Sequence, residues 1–373
     1  MNIGFDAKRI FHNKTGLGNY SRDVVRLLSG GYPQHNYFLY NPKEAKVEVD
    51  FKAYRNVFER KPSSAILRFF SKLWRQKFIV SDLAKDKILL FHGLSGELPI
   101  GLTQNKIKSV VTIHDLIFMR FPHYFNFLDR KIYFRKFKYA AEQADRIIAI
   151  SEQTKNDIVH FLKVPEGKIT VVYQGCQEVF KREYSDHDIK AVITKYKLPP
   201  QFILNVGTVE ARKNLWSLIR AVENLETKLI VVGSAKTGYA KQLQQYIADK
   251  NLESKINFLN SVSNEELAII YQLADVFIYP SLFEGFGIPV IEALYSKTPV
   301  ITTLRGCFPE AGGSHSLYLD NPEDPIEIAE KINLLLSDSS LREQIAQEGF
   351  QFVQKFNDDI IADKLMSVYN EVI

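Results

Sequence analysis

The sequence predicts an α/β protein built of two doubly wound, Rossmann-like domains facing each other across a cleft. Short β-branched apolar runs alternate with longer amphipathic segments along the whole chain. That is the pattern of parallel strands covered on both faces by helices. The alternation breaks in a charged stretch near residues 176–198 and restarts after Leu198-Pro-Pro200. At 373 residues the chain is long enough to fill two cores. The expected division is 1–178 and 179–357, with a last helix, 358–373, crossing back to the first domain. The cleft between the domains is the expected binding site.

In the first half, Ile3-Gly-Phe5 is the first strand. Lys14-Thr-Gly-Leu-Gly-Asn-Tyr-Ser-Arg22 follows, and Tyr20–Leu28 reads as a helix. Gly16 and Gly18 allow the backbone to approach a ligand at that helix start. The loop departs from a dinucleotide fingerprint, because Ser21 takes the third small position and the loop lies about ten residues past the strand. A purely structural turn is an equal reading. Tyr37–Tyr40, Ile88–Phe91 and Val110–Ile113 are the next strands, and the last of them leads into His114-Asp115. A histidine at a strand end can bond a sugar hydroxyl or a developing charge. It can equally be a satisfied core group. Ile147–Ile150 and Ile169–Tyr173 complete the set.

Two segments of this half are amphipathic. In Pro62–Phe78, residues Ile66, Phe69, Phe70, Leu73 and Trp74 share one helical face, opposite Arg68, Lys72 and Arg75. Arg120–Lys138 interleaves Phe and Tyr with Arg130, Lys131, Arg135, Lys136 and Lys138. Both suit peripheral contact with a membrane surface, and both also suit ordinary packing on the sheet.

In the second half, Phe202–Val206, Lys228–Val232, Ile256–Leu259, Val276–Tyr279, Thr298–Thr302 and Leu317–Leu319 are the strands. After the first, Gly207 permits a turn, and Arg212-Lys213 stand just before the helix Leu215–Leu225. An adjacent Arg and Lys at a helix start suit a diphosphate. After the fourth comes Ser281-Leu-Phe-Glu-Gly-Phe-Gly-Ile-Pro-Val-Ile-Glu-Ala293, with Glu284 eight residues before Glu292. The amides of Gly285, Phe286, Gly287 and Ile288 open the next helix and suit phosphates, while the two carboxylates suit sugar or ribose hydroxyls. A nucleotide-sugar fits both. Asp186-His-Asp188 has the spacing of a metal site but follows no strand, and reads as a solvated loop.

Composition excludes several classes. No apolar run approaches the ~20 residues of a membrane-spanning helix. The start, Met1-Asn-Ile-Gly-Phe-Asp6, lacks the form of a signal peptide, so a cytoplasmic protein is expected. Cys176 and Cys307 are too few for a disulfide framework or a metal pattern. Net charge is divided: residues 1–180 hold 29 Lys+Arg and 17 Asp+Glu, and the remainder 19 and 26. The first half should face something anionic. No nucleic-acid module is recognisable, so no nucleic-acid partner is expected.

Taken together these residues resemble the retaining glycosyltransferases of family 4, which have the GT-B architecture, over nearly the whole chain. The loop Thr15–Tyr20, Thr112-Ile-His-Asp115, Ile148-Ala-Ile-Ser151 with Lys155, Val206-Gly-Thr with Arg212-Lys213-Asn214, and Glu284 with Glu292 fall in the family's order. The resemblance implies that Glu292 holds the donor ribose and that Glu284 with residues 285–288 contacts donor sugar and phosphate. It implies that Arg212 and Lys213 clamp the diphosphate, Gly16 and Gly18 close over the phosphates, and His114 lies beside the transferred sugar. Val262, after Ser261, takes the base-contacting position. It implies transfer with retention, without a metal or cofactor, from a donor such as GDP-mannose or a UDP-sugar to a glycan or lipid-linked acceptor. Ala211 and Asn260 depart from the pattern, the second at the base site. A non-catalytic nucleotide-sugar-binding protein and a nicotinamide-dependent oxidoreductase remain the alternatives, and the latter leaves Arg212, Lys213 and the Glu pair unexplained.

Overall fold

The computed structural model describes residues 1–51 and 53–373. It has two compact units, one of Met1–Gln174 with Asn357–Ile373 and the other of Gly175–Phe356. The break thus falls four residues before the expected one, where the chain leaves the last strand of the first sheet.

The first unit holds a seven-stranded sheet: β1 (Asn2–Asp6), β2 (Asn36–Tyr40), β3 (Val57–Arg60), β4 (Leu90–Gly93), β5 (Lys108–Ile113), β6 (Arg146–Ala149) and β7 (Ile169–Val171). The order is β3-β2-β1-β4-β5-β6-β7, with every pair parallel. The order reverses between β1 and β4, which leaves a crevice at their C-terminal ends. β3 is not among the predicted strands. It lies at the sheet edge with none of its four residues fully buried, and Arg60 lies over the Phe38 ring instead of in the core.

The second unit repeats the plan with β8 (Ile203–Val206), β9 (Leu229–Val232), β10 (Ile256–Leu259), β11 (Val276–Tyr279), β12 (Val300–Thr303) and β13 (Leu317–Leu319). Their order is β10-β9-β8-β11-β12-β13, again all parallel, and the reversal lies between β8 and β11. The inner strands are buried along their whole length, as near-continuous apolar runs require. Each fully buried aliphatic or aromatic side chain contributes roughly 1.5–3 kcal/mol.

The last helix, Asp358–Asn370, packs within the first unit against the helix Gly16–Gly31. Arg26 pairs with Asp358 at 2.6 Å, and the Tyr32 hydroxyl donates to Asp363 at 2.6 Å. Ile361, Leu365, Met366 and Tyr369 turn inward.

Three local expectations are corrected. The first long helix starts at Gly16 instead of Tyr20, because the Asn13 side chain accepts from the amides of Thr15 and Gly18 and turns the chain early. Pro62–Phe78 is not one helix. Phe70 leaves helical geometry (φ −89°, ψ 41°), and Trp74 rotates inward, its Nε1 donating to Asp82 at 2.7 Å. Trp74 is buried while Ile66, Phe69, Phe70 and Leu73 stay exposed. Asp186-His-Asp188 is the first turn of the helix Asp186–Tyr196, where the Ser185 hydroxyl accepts from the Asp188 amide. The acidic residues complement the positive end of that helix.

Candidate functional site

Gly207, Arg212, Lys213 and Glu284 of the second unit come together at the crevice between β8 and β11. From β8 the chain turns at Gly207 (φ +148°), a conformation that favours glycine. Gly233, after β9, packs so closely that a Cβ there would lie 1.9 Å from the Gly207 carbonyl oxygen. A single 3₁₀ turn, Ala211–Lys213, then presents Arg212 and Lys213 before Asn214 takes a left-handed conformation (φ +55°) and starts the helix Leu215–Val222. From β11 the chain passes Ser281 and Glu284 and turns at Gly287 (φ +106°) into the helix Ile288–Tyr295.

Glu284 is the hub. Its Oε1 accepts from Lys213 Nζ, from Ser281 at 2.9 Å and from Tyr279 at 3.0 Å, and Arg212 lies 2.7 Å away. Arg212 also donates to the Phe283 carbonyl and pairs with Glu210 at 2.5 Å. Lys213 further donates to the Tyr279 hydroxyl and lies over its ring. Burial alone raises the Glu284 carboxyl, but the adjacent Lys213 and Arg212 outweigh it and hold the group down at about 2. The arrangement therefore fixes two cations side by side at the end of a parallel sheet, without mobile side chains to order.

Glu292 sits two turns of chain further on, in the opposite environment. It is half-buried, no cation pairs with it among the described residues, and its one hydrogen bond there comes from the Tyr271 hydroxyl at 3.2 Å. Burial pushes its carboxyl up to about 7, against the effect of that bond. It is a carboxyl ready to accept from hydroxyl groups once ionised. Gly285 and Ile288 are half-buried, whereas Phe286 is a core residue packed on Phe356 with ring centroids 5.4 Å apart. Val262 lies beyond β10, two strands from β8, after Ser261 in a left-handed conformation (φ +58°).

In the first unit, Gly16 starts its helix with open space at its Cβ position, whereas a Cβ on Gly18 would meet the Asn13 carbonyl oxygen at 1.9 Å. Gly18 is required by chain packing. His114, past β5, bonds the Leu94 carbonyl through Nε2 at 2.9 Å, so Nε2 carries the proton and Nδ1 keeps its lone pair. Burial lowers it to about 4, and the ring is neutral. The Tyr20 ring stands edge-on to it at 4.6 Å. Behind it runs a buried chain: Tyr20 hydroxyl to Thr112 (3.0 Å), Thr112 to His92 Nε2 (2.8 Å), His92 Nδ1 to Tyr369 (2.6 Å). Lys155 pairs with Glu166 at 2.8 Å, and Ser151 caps the helix Glu152–Asp157.

Tyr279, Ser281, Glu210, Gly233 and Tyr271 hold this site but are not among the residues predicted for it. Tyr279 is legible as the last residue of β11, and Ser281 as part of the loop that follows it. Tyr271 comes from the helix Asn264–Leu273, and nothing in its sequence setting marks it.

Residues 25–177 match the family model "Glycosyltransferase Family 4", and residues 187–352 match "Glycosyl transferases group 1". The chain is 26% identical to O-antigen chain mannosyltransferase B of Escherichia coli, over 99% of both chains. It is 34% identical to O-antigen chain mannosyltransferase RfbU of Salmonella typhimurium over 58% of each. It is 30% identical to the capsular polysaccharide biosynthesis glycosyltransferase CapM of Staphylococcus aureus, over 76% of this chain and 79% of that one. Among solved structures, a glycosyltransferase from Rickettsia africae aligns with a TM-score of 0.77 at 18% identity, covering 100% of this chain and 98% of the other. Anabaena HepE in complex with UDP-glucose aligns with a TM-score of 0.77 at 18% identity over 100% of both. These two likenesses are of fold.

Proposed function

Starting from the fact that this chain belongs to glycosyltransferase family 4, we propose that it moves mannose from a nucleoside-diphosphate donor to a hydroxyl of a glycan or lipid-linked acceptor. The supporting observation is the pair of cations pinned on Glu284 at the switch point of the second sheet. Breaking the sugar–phosphate bond leaves positive charge on the ring and negative charge on the departing diphosphate. Arg212 and Lys213 meet that negative charge already oriented, so little reorganisation accompanies the step. Glu210, half-exposed, gives way to the diphosphate on Arg212. Glu292 accepts from the ribose hydroxyls. The acceptor oxygen bonds the anomeric carbon on the face the phosphate leaves, and its proton passes to the leaving phosphate oxygen. The configuration is retained, and fixed cations do what a divalent metal does elsewhere.

Mannose rests on the relatives' names, and GDP-mannose is the first donor to test. The acceptor is read on the basic first unit, where neutral His114 keeps an Nδ1 lone pair that can accept from a sugar hydroxyl. Ile66, Phe69, Phe70 and Leu73, with the aromatic and basic segment 120–138, give that unit a surface for peripheral contact with the cytoplasmic membrane face. Trp74 takes no part in it.

A thermal-shift panel of GDP-, UDP-, ADP- and TDP-sugars in EDTA, on wild type and Glu292→Ala, tests the reading. Stabilisation of wild type by one nucleotide class, lost in the variant, is expected. Stabilisation by NAD alone would replace the reading with the oxidoreductase alternative.

A further inference from the structure

The place of Glu292 on the helix Ile288–Tyr295 is legible in the sequence, but what holds its carboxyl is not. The helix Asn264–Leu273 packs against that helix, and from its last turn Tyr271 donates its hydroxyl to Glu292 Oε2 at 3.2 Å. Tyr271 is fully buried. Its ring stands edge-on to Phe180 and Phe277, with centroids 5.8 and 5.2 Å away. The Thr298 hydroxyl donates to its carbonyl at 2.6 Å. The Tyr271 hydroxyl is thus aimed at Glu292 by packing alone. Burial, and then the facing Glu292 carboxyl, raise it well above its usual range, so it stays protonated and donates. A buried tyrosine hydroxyl needs a partner, and a backbone carbonyl would serve. This one takes a carboxylate oxygen on the helix that opens from the ligand-binding end of the sheet.

The two oxygens of Glu292 are thereby unequal. Oε2 has Tyr271, while Oε1 has no partner among the described residues. The buried side-chain atoms without a partner there belong to Arg9, Arg130 and Ser296, so Oε1 reaches solvent. Charged groups on the neighbouring elements are engaged elsewhere. Lys181 pairs with Glu178 at 2.9 Å and lies over the Tyr295 ring. Lys297 lies 3.7 Å from Glu183, and His315 bonds Glu348 at 2.8 Å. Glu310 bears on Cys307, and Tyr279 of β11 with Cys176 bears on Tyr271. Burial raises the Glu292 carboxyl, and the Tyr271 hydroxyl is the group that favours its charged form.

We propose that Tyr271 is a positioning residue for the donor: it holds Glu292 by one oxygen and leaves the other to accept from the ribose hydroxyls. The inference rests on the reading of Glu292 as the ribose ligand and deepens it. Without the hydroxyl the carboxyl keeps its burial but loses the bond that favours its charge, so its proton leaves at higher pH.

The test compares wild type, Tyr271→Phe, Tyr246→Phe and Glu292→Gln. Tyr271→Phe keeps the ring and its packing. Tyr246→Phe removes the same kind of bond elsewhere, a hydroxyl donated to Glu223 at 3.0 Å. With carbon-13 at the glutamate carboxyls, NMR follows the Glu292 signal across pH, identified by its absence from Glu292→Gln. Its midpoint is expected at about 7 in wild type. It should rise by about one pH unit in Tyr271→Phe and stay in place in Tyr246→Phe. Calorimetric binding of GDP by Tyr271→Phe should be weaker by roughly tenfold at pH 6 and recover most of that loss by pH 9. An unmoved midpoint in Tyr271→Phe, or a loss of GDP affinity equal at the two pH values, would overturn the proposal. GDP bound as tightly by Glu292→Gln as by wild type would sink the ribose reading. Loss of GDP there, beside an unmoved midpoint in Tyr271→Phe, sinks only this one.

Discussion

Glu284 and Glu292 show how environment divides two like residues eight positions apart. Glu284, beside Lys213 and Arg212, is held down at about 2, and Glu292, half-buried with no cation paired to it among the described residues, is pushed up by burial to about 7. The signs of their stability effects are opposite. A carboxyl raised in the fold contributes stability that is present below its unfolded value and lost as pH rises through about 7. Ionised Glu292 therefore costs the fold up to about 3 kcal/mol. Glu292→Gln should raise the melting temperature at pH 8, leave it near wild type at pH 5, and still abolish the nucleotide-induced shift. Calorimetry at the two pH values checks this, and equal effects at both would refute it. Glu284→Gln leaves half-buried Lys213 without its carboxylate and Arg212 with Glu210 alone, and a loss of about 3 kcal/mol is expected by denaturant titration.

The elements that carry these residues differ in how plainly they are written. The turn from β11 into the helix Ile288–Tyr295 is legible because Gly287 adopts φ +106° and Pro289 fits a first turn. β3 was illegible because an edge strand needs no continuous apolar run. Trp74 misled because its helical spacing assumed a straight helix, and the helix breaks at Phe70. Long-range hydrogen bonding is invisible to local pattern, and the buried chain Tyr20–Thr112–His92–Tyr369 joins residues up to 277 positions apart. His92 is held neutral there, lowered to about 3 by burial and then by His114. Tyr369→Phe removes the chain's outer end and should cost about 1–3 kcal/mol. Hydrogen exchange should then speed up in β4 and β5 while the second sheet is unchanged. Faster exchange in both sheets, or in neither, would contradict a chain confined to the first unit.

At the scale of the whole molecule, the terminal helix makes the first unit discontinuous. Ile361, Leu365, Met366 and Tyr369 are buried in it, so removing 357–373 strips one face of the helix Gly16–Gly31. The truncated chain should melt in two steps, the first unit lower than in wild type and the second still stabilised by nucleotide. The two sheets and the boundary region were legible because parallel strands write themselves as apolar runs. How Glu284 binds both cations was not, since Arg212 and Lys213 precede it by some seventy residues. That cation pair is the central claim, and nucleoside diphosphate release from GDP-mannose in EDTA, by wild type and Lys213→Ala at matched folding, tests it most directly. Release by wild type without metal, and a fall of well over about tenfold in the variant, is the expected result. Undiminished release by Lys213→Ala, or release that depends on added Mn²⁺, would contradict it.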